Sequence, residues 1–269
     1  MFQLDVEQML KSRFGSKVPG WLVWVLRRVL HEKWLNDCFR RGFMGIPFCE
    51  DSLYNYLNIS LDIEGRENLS ALNNEKRYTV ASNHAMGGSD ALAILAIFGR
   101  QFDENVKIFV NDFLSILPQL GGFTVGVNKM SRQQARNLSE KVDGIFSGNS
   151  QVLMFPSGKA ARRHHGRIQE EPWGKTVISK SVQFQRDIVP MHFYGKNTWR
   201  FYFMDWIGKV TGINRKFPLA MILLVDELYR AQGKRYRVVI GEPIPWQQFD
   251  NSRRPAEWAA WLREKVISL

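Results

Sequence analysis

Cysteine is nearly absent from this 269-residue chain. Cys38 and Cys49 are the two that occur, and neither sits in a C-x-x-C pattern or at a metal-ligand spacing. No disulfide framework or zinc site is expected, and a reducing cytosolic compartment is. Long apolar runs are also missing. The longest are Ala91–Phe98 and Leu219–Val225, far short of the roughly 18 residues of a spanning helix. The opening MFQLDVEQML is mixed and weakly acidic, and does not read as a secretory signal. Internal repeats and low-complexity tracts are not evident. Acidic residues are outnumbered, 26 Asp+Glu against 37 Lys+Arg, which gives a net charge of +11. So basic a chain expects an anionic partner: phosphate, nucleic acid or an acidic membrane.

What is present is ordinary for a globular protein, with 45% hydrophobic and 23% charged residues. The length suits one large α/β domain or two small ones. Nine Trp and 18 Phe tilt the expected partner toward a membrane surface or an apolar ligand. Residues 1–57 read as a helical segment. Within it, PGWLVWVLRRVLHEKWLNDCFRRG mixes Trp21, Trp24, Val25 and Leu26 with Arg27, Arg28, Arg40 and Arg41. That composition fits a helix lying in a membrane interface, and equally an amphipathic helix packed on the protein's own core.

From residue 58 to 269 strands alternate with helices. LNISLDIEG alternates apolar and polar residues as a half-buried strand does. RYTVASN, VKIFVN, FTVGVNK, QVLMFP, DIVPMHFYG and RYRVVIGEPI read as further strands. SDALAILAIFG, SRQQARNLSEKVDGIFSG, residues 175–185 and PAEWAAWLREKVISL read as helices, and FLSILPQLGG as a short helix or loop stopped by Pro118. The expected fold class is α/β, a mostly parallel or mixed central sheet flanked by helices. Pro190 in DIVPM argues for an edge strand or a strand start, because proline has no N–H to give a ladder.

The chain has five histidines, His31, His84, His164, His165 and His192. His84 follows a strand, and a loop with Gly87 and Gly88 separates it from Asp90, which opens a helix. An aspartate beside a histidine fixes the imidazole tautomer and stabilises the imidazolium formed when it takes a proton. The helix dipole holds such an aspartate ionised. A capped helix start with a histidine nearby explains the same residues without chemistry.

A second constellation is QVLMFPSGKAARRHHGR. A buried strand ends at Phe155-Pro156, a Ser157-Gly158 turn follows, and Lys159, Arg162, Arg163 and Arg167 come soon after. Glycine admits a close ligand and arginine pairs with phosphate or carboxylate, so this resembles an anion-binding loop as well as a solvated basic one. It is not a Walker loop: Leu153 stands where glycine is needed, and Ala160 where Ser/Thr is.

Taken in order, Asn83-His84…Asp90, GGFTVGVNK with Lys129 and Arg132 past its end, FPSGKAAR and IVPM resemble the four blocks of the glycerolipid acyltransferase family, the glycerol-phosphate and lysophosphatidic acid type. The resemblance covers roughly residues 60–245. It implies acyl transfer from a thioester of acyl carrier protein or coenzyme A to a lyso-lipid hydroxyl. His84 would be the base and Asp90 its partner. Asn83, Lys129, Arg132, Ser157, Gly158, Lys159 and Arg162 would bind substrate, with no metal and no cofactor beyond the co-substrate. It implies a peripheral protein on the cytoplasmic face of the inner or plasma membrane.

Three features depart from the family pattern. Five residues, Ala85 to Ser89, separate His84 from Asp90 where four are usual; the third-block Glu is Ser157; and the second-block base is Lys129. The expected acceptor is lysophosphatidic acid or, because the family's Glu is lost, a different lyso-lipid, including an amino-acid lipid with a free hydroxyl. Two rivals stand beside this reading. One is a serine hydrolase using Ser89 in GGSDA with His164, His165 or His192. The other is a non-catalytic basic protein binding lipid or nucleic acid, although no nucleic-acid motif is evident.

Overall fold

The computed structural model describes residues 3–15, 17–110, 117–127, 132–164, 166–212 and 219–269. The N-terminal segment is helical: α1 Val6–Phe14, α2 Gly20–Val29, α3 Glu32–Arg40 and α4 Gly45–Glu50, which runs into a π-helical turn over Asp51–Tyr56. Asp5 caps α1 by accepting the backbone N–H groups of Glu7 and Gln8. After it come β1 Ser60–Glu64, α5 Arg66–Ser70, β2 Tyr78–Ser82, α6 Ser89–Gln101, β3 Val106–Val110 and β4 Thr124–Gly126. The second half holds α7 Arg132–Ser147, β5 Gln151–Met154, β6 Arg162–His164, β7 Arg167–Gln169, α8 Thr176–Gln183 and β8 Asp187–Tyr194. It closes with α9 Trp199–Val210, α10 Leu219–Arg230, β9 Arg235–Ile240 and α11 Pro255–Ile267.

Seven strands form one mixed sheet in the order β1-β9-β8-β2-β5-β3-β4. The β8–β9 pair is antiparallel and every other neighbouring pair is parallel. β2 and β5 are buried along their whole length, as interior parallel strands covered on both faces are. Side chains alternate between two cores. Val80, Leu153, Val189 and Phe193 face one core with α6 residues Ile94 and Phe98. Ala81, Val152, Met154 and Ile188 face the other with Phe146 of α7, Val177 of α8 and Leu262 of α11. The period-2 alternation of strand side chains divides adjacent residues between the layers. Ile94, Leu95 and Phe98 are therefore core residues.

A separate cluster joins the N-terminal helices to α10. Val6 and Leu10 of α1, and Val23 and Leu26 of α2, pack with Ile222 and Val225. On its other side α10 packs Leu223 and Leu224 against Phe201 and Tyr202 of α9. Cys38 and Cys49 are buried and free.

Two sequence expectations are corrected. Pro190 sits inside β8, an interior strand, and not at an edge. The reason is local. Ile188 donates its N–H to Ile244, so position 190 would aim its N–H the same way, beyond the point where β9 ends opposite Met191. Gly241 donates to the Pro190 carbonyl instead, and the ladder with β2 loses nothing. The basic segment is not a plain loop: Arg162–His164 and Arg167–Gln169 pair as a short antiparallel ribbon. Finally, α9 and α10 have no counterpart in the sequence reading. In FLSILPQLGG, residues 113–116 lie outside the described residues, and Pro118–Leu120 is a single 3-10 turn.

Candidate active site

The site lies beyond the carboxyl ends of three adjacent strands, β8, β2 and β5, where open α/β sheets present their ligands. The register places its parts. Ala81 pairs with Met154, and Ser82 with Met191. His84, two residues past the end of β2, therefore comes beside Phe155, one residue past the end of β5. The two rings stack with centroids 4.1 Å apart and an interplanar angle of 18°.

Asn83 continues the β2–β8 ladder with its side chain. Its Oδ1 accepts the Phe193 N–H at 2.7 Å and its Nδ2 donates to the Phe193 carbonyl at 3.0 Å. The structure thus spends the Asn83 amide on the backbone of β8, which fixes the residue just before His84.

His84 Nδ1 lies 3.0 Å from Asp90 Oδ2. The Asp90 side chain is fully buried and that of His84 is 16% exposed. The same Oδ2 accepts the Met86 N–H at 2.9 Å, and Oδ1 accepts the Ala91 N–H at 3.0 Å. Burial pushes the Asp90 carboxyl up. The charge and hydrogen bond of His84, with the two backbone N–H groups, outweigh that and hold it below the usual carboxylate value. An ionised Asp90 makes His84 Nδ1 the protonated nitrogen and leaves Nε2 as an acceptor.

The five-residue spacing is accommodated by Gly87, whose φ of +93° is in the left-handed region. A Cβ there would meet Leu224 of α10 at 2.9 Å. The loop is packed from outside as well. Asn197 Nδ2 donates to the Met86 carbonyl at 3.0 Å, and a Cβ on Gly195 would meet Met86 Sδ at 2.7 Å.

The basic segment meets His84 through its backbone. Ala161 donates its N–H to the His84 carbonyl at 2.7 Å. Ser157 and Gly158 form the turn after Phe155, with Gly158 N–H on the Phe155 carbonyl at 2.9 Å and Ser157 Oγ donating to the Lys159 carbonyl at 3.1 Å. Lys159 is exposed on that turn. Arg162 is buried. Its Nε lies 3.2 Å from Asp205 of α9, its Nη1 donates to the carbonyls of Ala160 and Ala161, and its guanidinium sits 4.7 Å over the Phe201 ring. Burial pulls its pKa down and Asp205 opposes that. The structure thus ties Arg162 to α9. Lys129 lies outside the described residues, as does the side chain of Arg132.

Two contacts of the site were not legible in the sequence. Glu170, after β7, accepts the His84 backbone N–H on one carboxylate oxygen and the Trp173 indole N–H at 3.1 Å on the other. Burial raises its pKa, against the pull of those two donors. Phe155 was visible only as part of a block, not as the ring that orients His84. Glu170 is 86 residues from His84 and carries no periodic or motif signal.

Among the described residues the hydrolase arrangement is not formed: Ser89 Oγ is buried and no described histidine hydrogen-bonds it. His164 faces Glu171, and His192 stacks on Tyr194. His165 lies outside the described residues. Among the described residues, no group of three or more His, Cys, Asp or Glu side chains comes together to hold a metal ion.

The chain as a whole is similar to known proteins. The model of a family described as acyltransferase matches residues 9–269. A lyso-glycine lipid O-acyltransferase of Bacteroides thetaiotaomicron is 36% identical over 274 aligned positions, covering 100% of this chain and 98% of its own. A protein of the same name from Phocaeicola vulgatus is 35% identical and covers 100% and 96%. The crystal structure of the 1-acyl-sn-glycerophosphate acyltransferase PlsC from Thermotoga maritima shares the fold. Its TM-score is 0.50 at 13% identity, over 97% of this chain and 87% of that one.

Proposed function

From the premise that this chain belongs to the acyltransferase family and is an acyltransferase, we propose that it moves a fatty acyl group from an acyl thioester to the free hydroxyl of an amino-acid lyso-lipid. The observation that carries the reading is the 3.0 Å contact between His84 Nδ1 and a fully buried, ionised Asp90. The acceptor class is supported by the two relatives named for a lyso-glycine lipid, and by Ser157 at the position where the glycerolipid blocks carry Glu.

In the proposed reaction His84 Nε2 takes the proton of the acceptor hydroxyl as the oxygen attacks the thioester carbonyl. Asp90 bears the counter-charge of the imidazolium. The tetrahedral oxyanion collapses, the carbon–sulfur bond breaks, and the departing thiolate recovers the proton from His84. Phe155 holds the imidazole plane, and Ala161 and Glu170 hold the backbone that carries it. Lys159, with Lys129 and Arg132 from the sequence, are assigned to the acceptor's anionic head or the donor's phosphate. Arg162, paired with Asp205, shapes that region from behind. Acyl carrier protein and coenzyme A both present the thioester this scheme needs.

The setting is a peripheral one on the cytoplasmic membrane face, because the acceptor resides in a bilayer. No helix among the described residues is long and apolar enough to cross a membrane. In α2, Trp21 and Trp24 are exposed, with Arg28 over the Trp24 ring at 5.4 Å.

The test is incubation of the protein with labelled acyl-carrier-protein and coenzyme A thioesters and a panel of lyso-lipids, read by mass spectrometry. Transfer to a lyso-glycine lipid is expected, and His84→Ala abolishes it without loss of fold. Survival of more than a few per cent of the activity in that variant removes His84 as the base.

A further inference from the structure

Helix α9 carries an exposed apolar stripe that the reaction does not use. Trp199, Phe203, Trp206 and Val210 are spaced by four, three and four residues, which sets them on one helical face. They are 72%, 48%, 56% and 68% exposed. Trp199 lies 6.0 Å from Phe203, and Phe203 stacks 6.0 Å from Trp206, so the rings form a continuous row. The opposite face, with Phe201, Tyr202, Asp205 and Gly208, is buried. Such a row on a water-facing helix leaves apolar area without a partner.

The exposed charges beside the row on α9 are basic. The single acidic residue of α9 is Asp205, which is buried and pairs with Arg162 at 3.2 Å and with Lys209 at 2.8 Å. Arg200 is exposed beside Trp199, and Lys209 stands beside Val210. The β6–β7 ribbon packs against α9 through β6. Its outward residues are Arg163, Arg167 and Ile168, the last 45% exposed. Aromatic rings flanked by Arg and Lys are the chemistry of the headgroup region of an anionic bilayer. Trp settles there, and cations meet lipid phosphates.

The helix is also fastened to the site. Glu227 of α10 accepts the Thr198 N–H at 2.7 Å and its hydroxyl at 2.5 Å, which fixes the start of α9. Asp205 holds Arg162, and Ala161 next to it holds the His84 carbonyl. From this juxtaposition we propose that the outer face of α9, with Arg163, Arg167 and Ile168 of the β6–β7 ribbon, is a docking surface for an anionic lipid bilayer that seats His84 at the membrane. The inference rests on the lyso-lipid reading for its purpose, and on the exposed row and its cations for its chemistry.

The experiment uses the full chain and vesicles of phosphatidylcholine with or without phosphatidylglycerol. The unaltered protein sediments with the phosphatidylglycerol vesicles. The Trp199→Ala/Trp206→Ala pair and, separately, Val210→Asp lower that partition by about tenfold or more. Circular dichroism confirms that both variants fold. Acyl transfer to a detergent-dispersed lyso-lipid is unchanged in them, while transfer to a vesicle-embedded one falls with the partition.

Three results overturn the proposal: no vesicle binding by the unaltered protein, unchanged partition in both variants, or a shift from dimer to monomer with partition unmoved, which would mean that a second copy of the chain covers the row. Absence of transfer in detergent by the unaltered protein would instead remove the lyso-lipid acceptor reading, and the sedimentation result would still decide the surface.

Discussion

Asp90 concentrates the chemistry of the site in one side chain. A carboxylate removed entirely from water ordinarily gains a proton, and here the His84 ring and two backbone N–H groups oppose that. The consequence for stability has a definite sign. A carboxyl whose folded value lies below its unfolded value contributes stability above the unfolded value and loses it as pH falls through the folded one. The pair therefore weakens only in strongly acid solution. Asp90→Asn keeps the size of the side chain and removes the charge. Turnover is expected to fall on the order of 10³-fold or more with little change in KM, since the imidazolium loses its counter-ion and its preferred tautomer. Steady-state kinetics beside a melting curve check this. A loss of turnover explained by unfolding would show as a large drop in Tm.

Among the elements, the loop between β2 and α6 decides whether His84 and Asp90 meet. Its five intervening residues exceed the family's usual four, and the turn still closes because Gly87 adopts a left-handed conformation against Leu224. Gly87→Ala places a methyl in that conformation, at a cost of about 1–2 kcal/mol from the backbone alone, and 2.9 Å from Leu224. The expected outcome is a marked loss of turnover with a smaller loss of melting temperature, because the strain falls on the loop and not on the sheet. Equal activity in the variant would show that the loop has slack. The sequence displays the glycine pair but not which glycine turns. It displays the basic segment but not that Arg162 is turned inward to Asp205. Both depend on α9 and α10, two helices that give no motif in this region.

At the scale of the whole molecule, Arg186 ties the layers. Its guanidinium is fully buried and donates to the carbonyls of Phe146, Tyr78, Ser150 and Gly148 at 2.6–3.2 Å, joining the start of β2, the end of α7 and the turn before β5. Burial, with Arg77 nearby, pulls its pKa down to about 10, so it stays charged at neutral pH. Arg186→Met removes every one of these donors and is expected to cost about 3 kcal/mol or more, seen as a fall in Tm in thermal unfolding. A change within experimental error would mean that water replaces the guanidinium. The sequence by itself determined the α/β alternation, most strand positions, and the residues of the His84–Asp90 and FPSG blocks. These follow from local periodicity and from residue types that chemistry restricts. Only the tertiary structure decided the order of the strands, the interior place of Pro190, the stacking of Phe155 on His84, and the reach of Glu170 to the His84 backbone. Those contacts join residues tens of positions apart, and which of them form depends on strand register and helix packing, which no local pattern encodes.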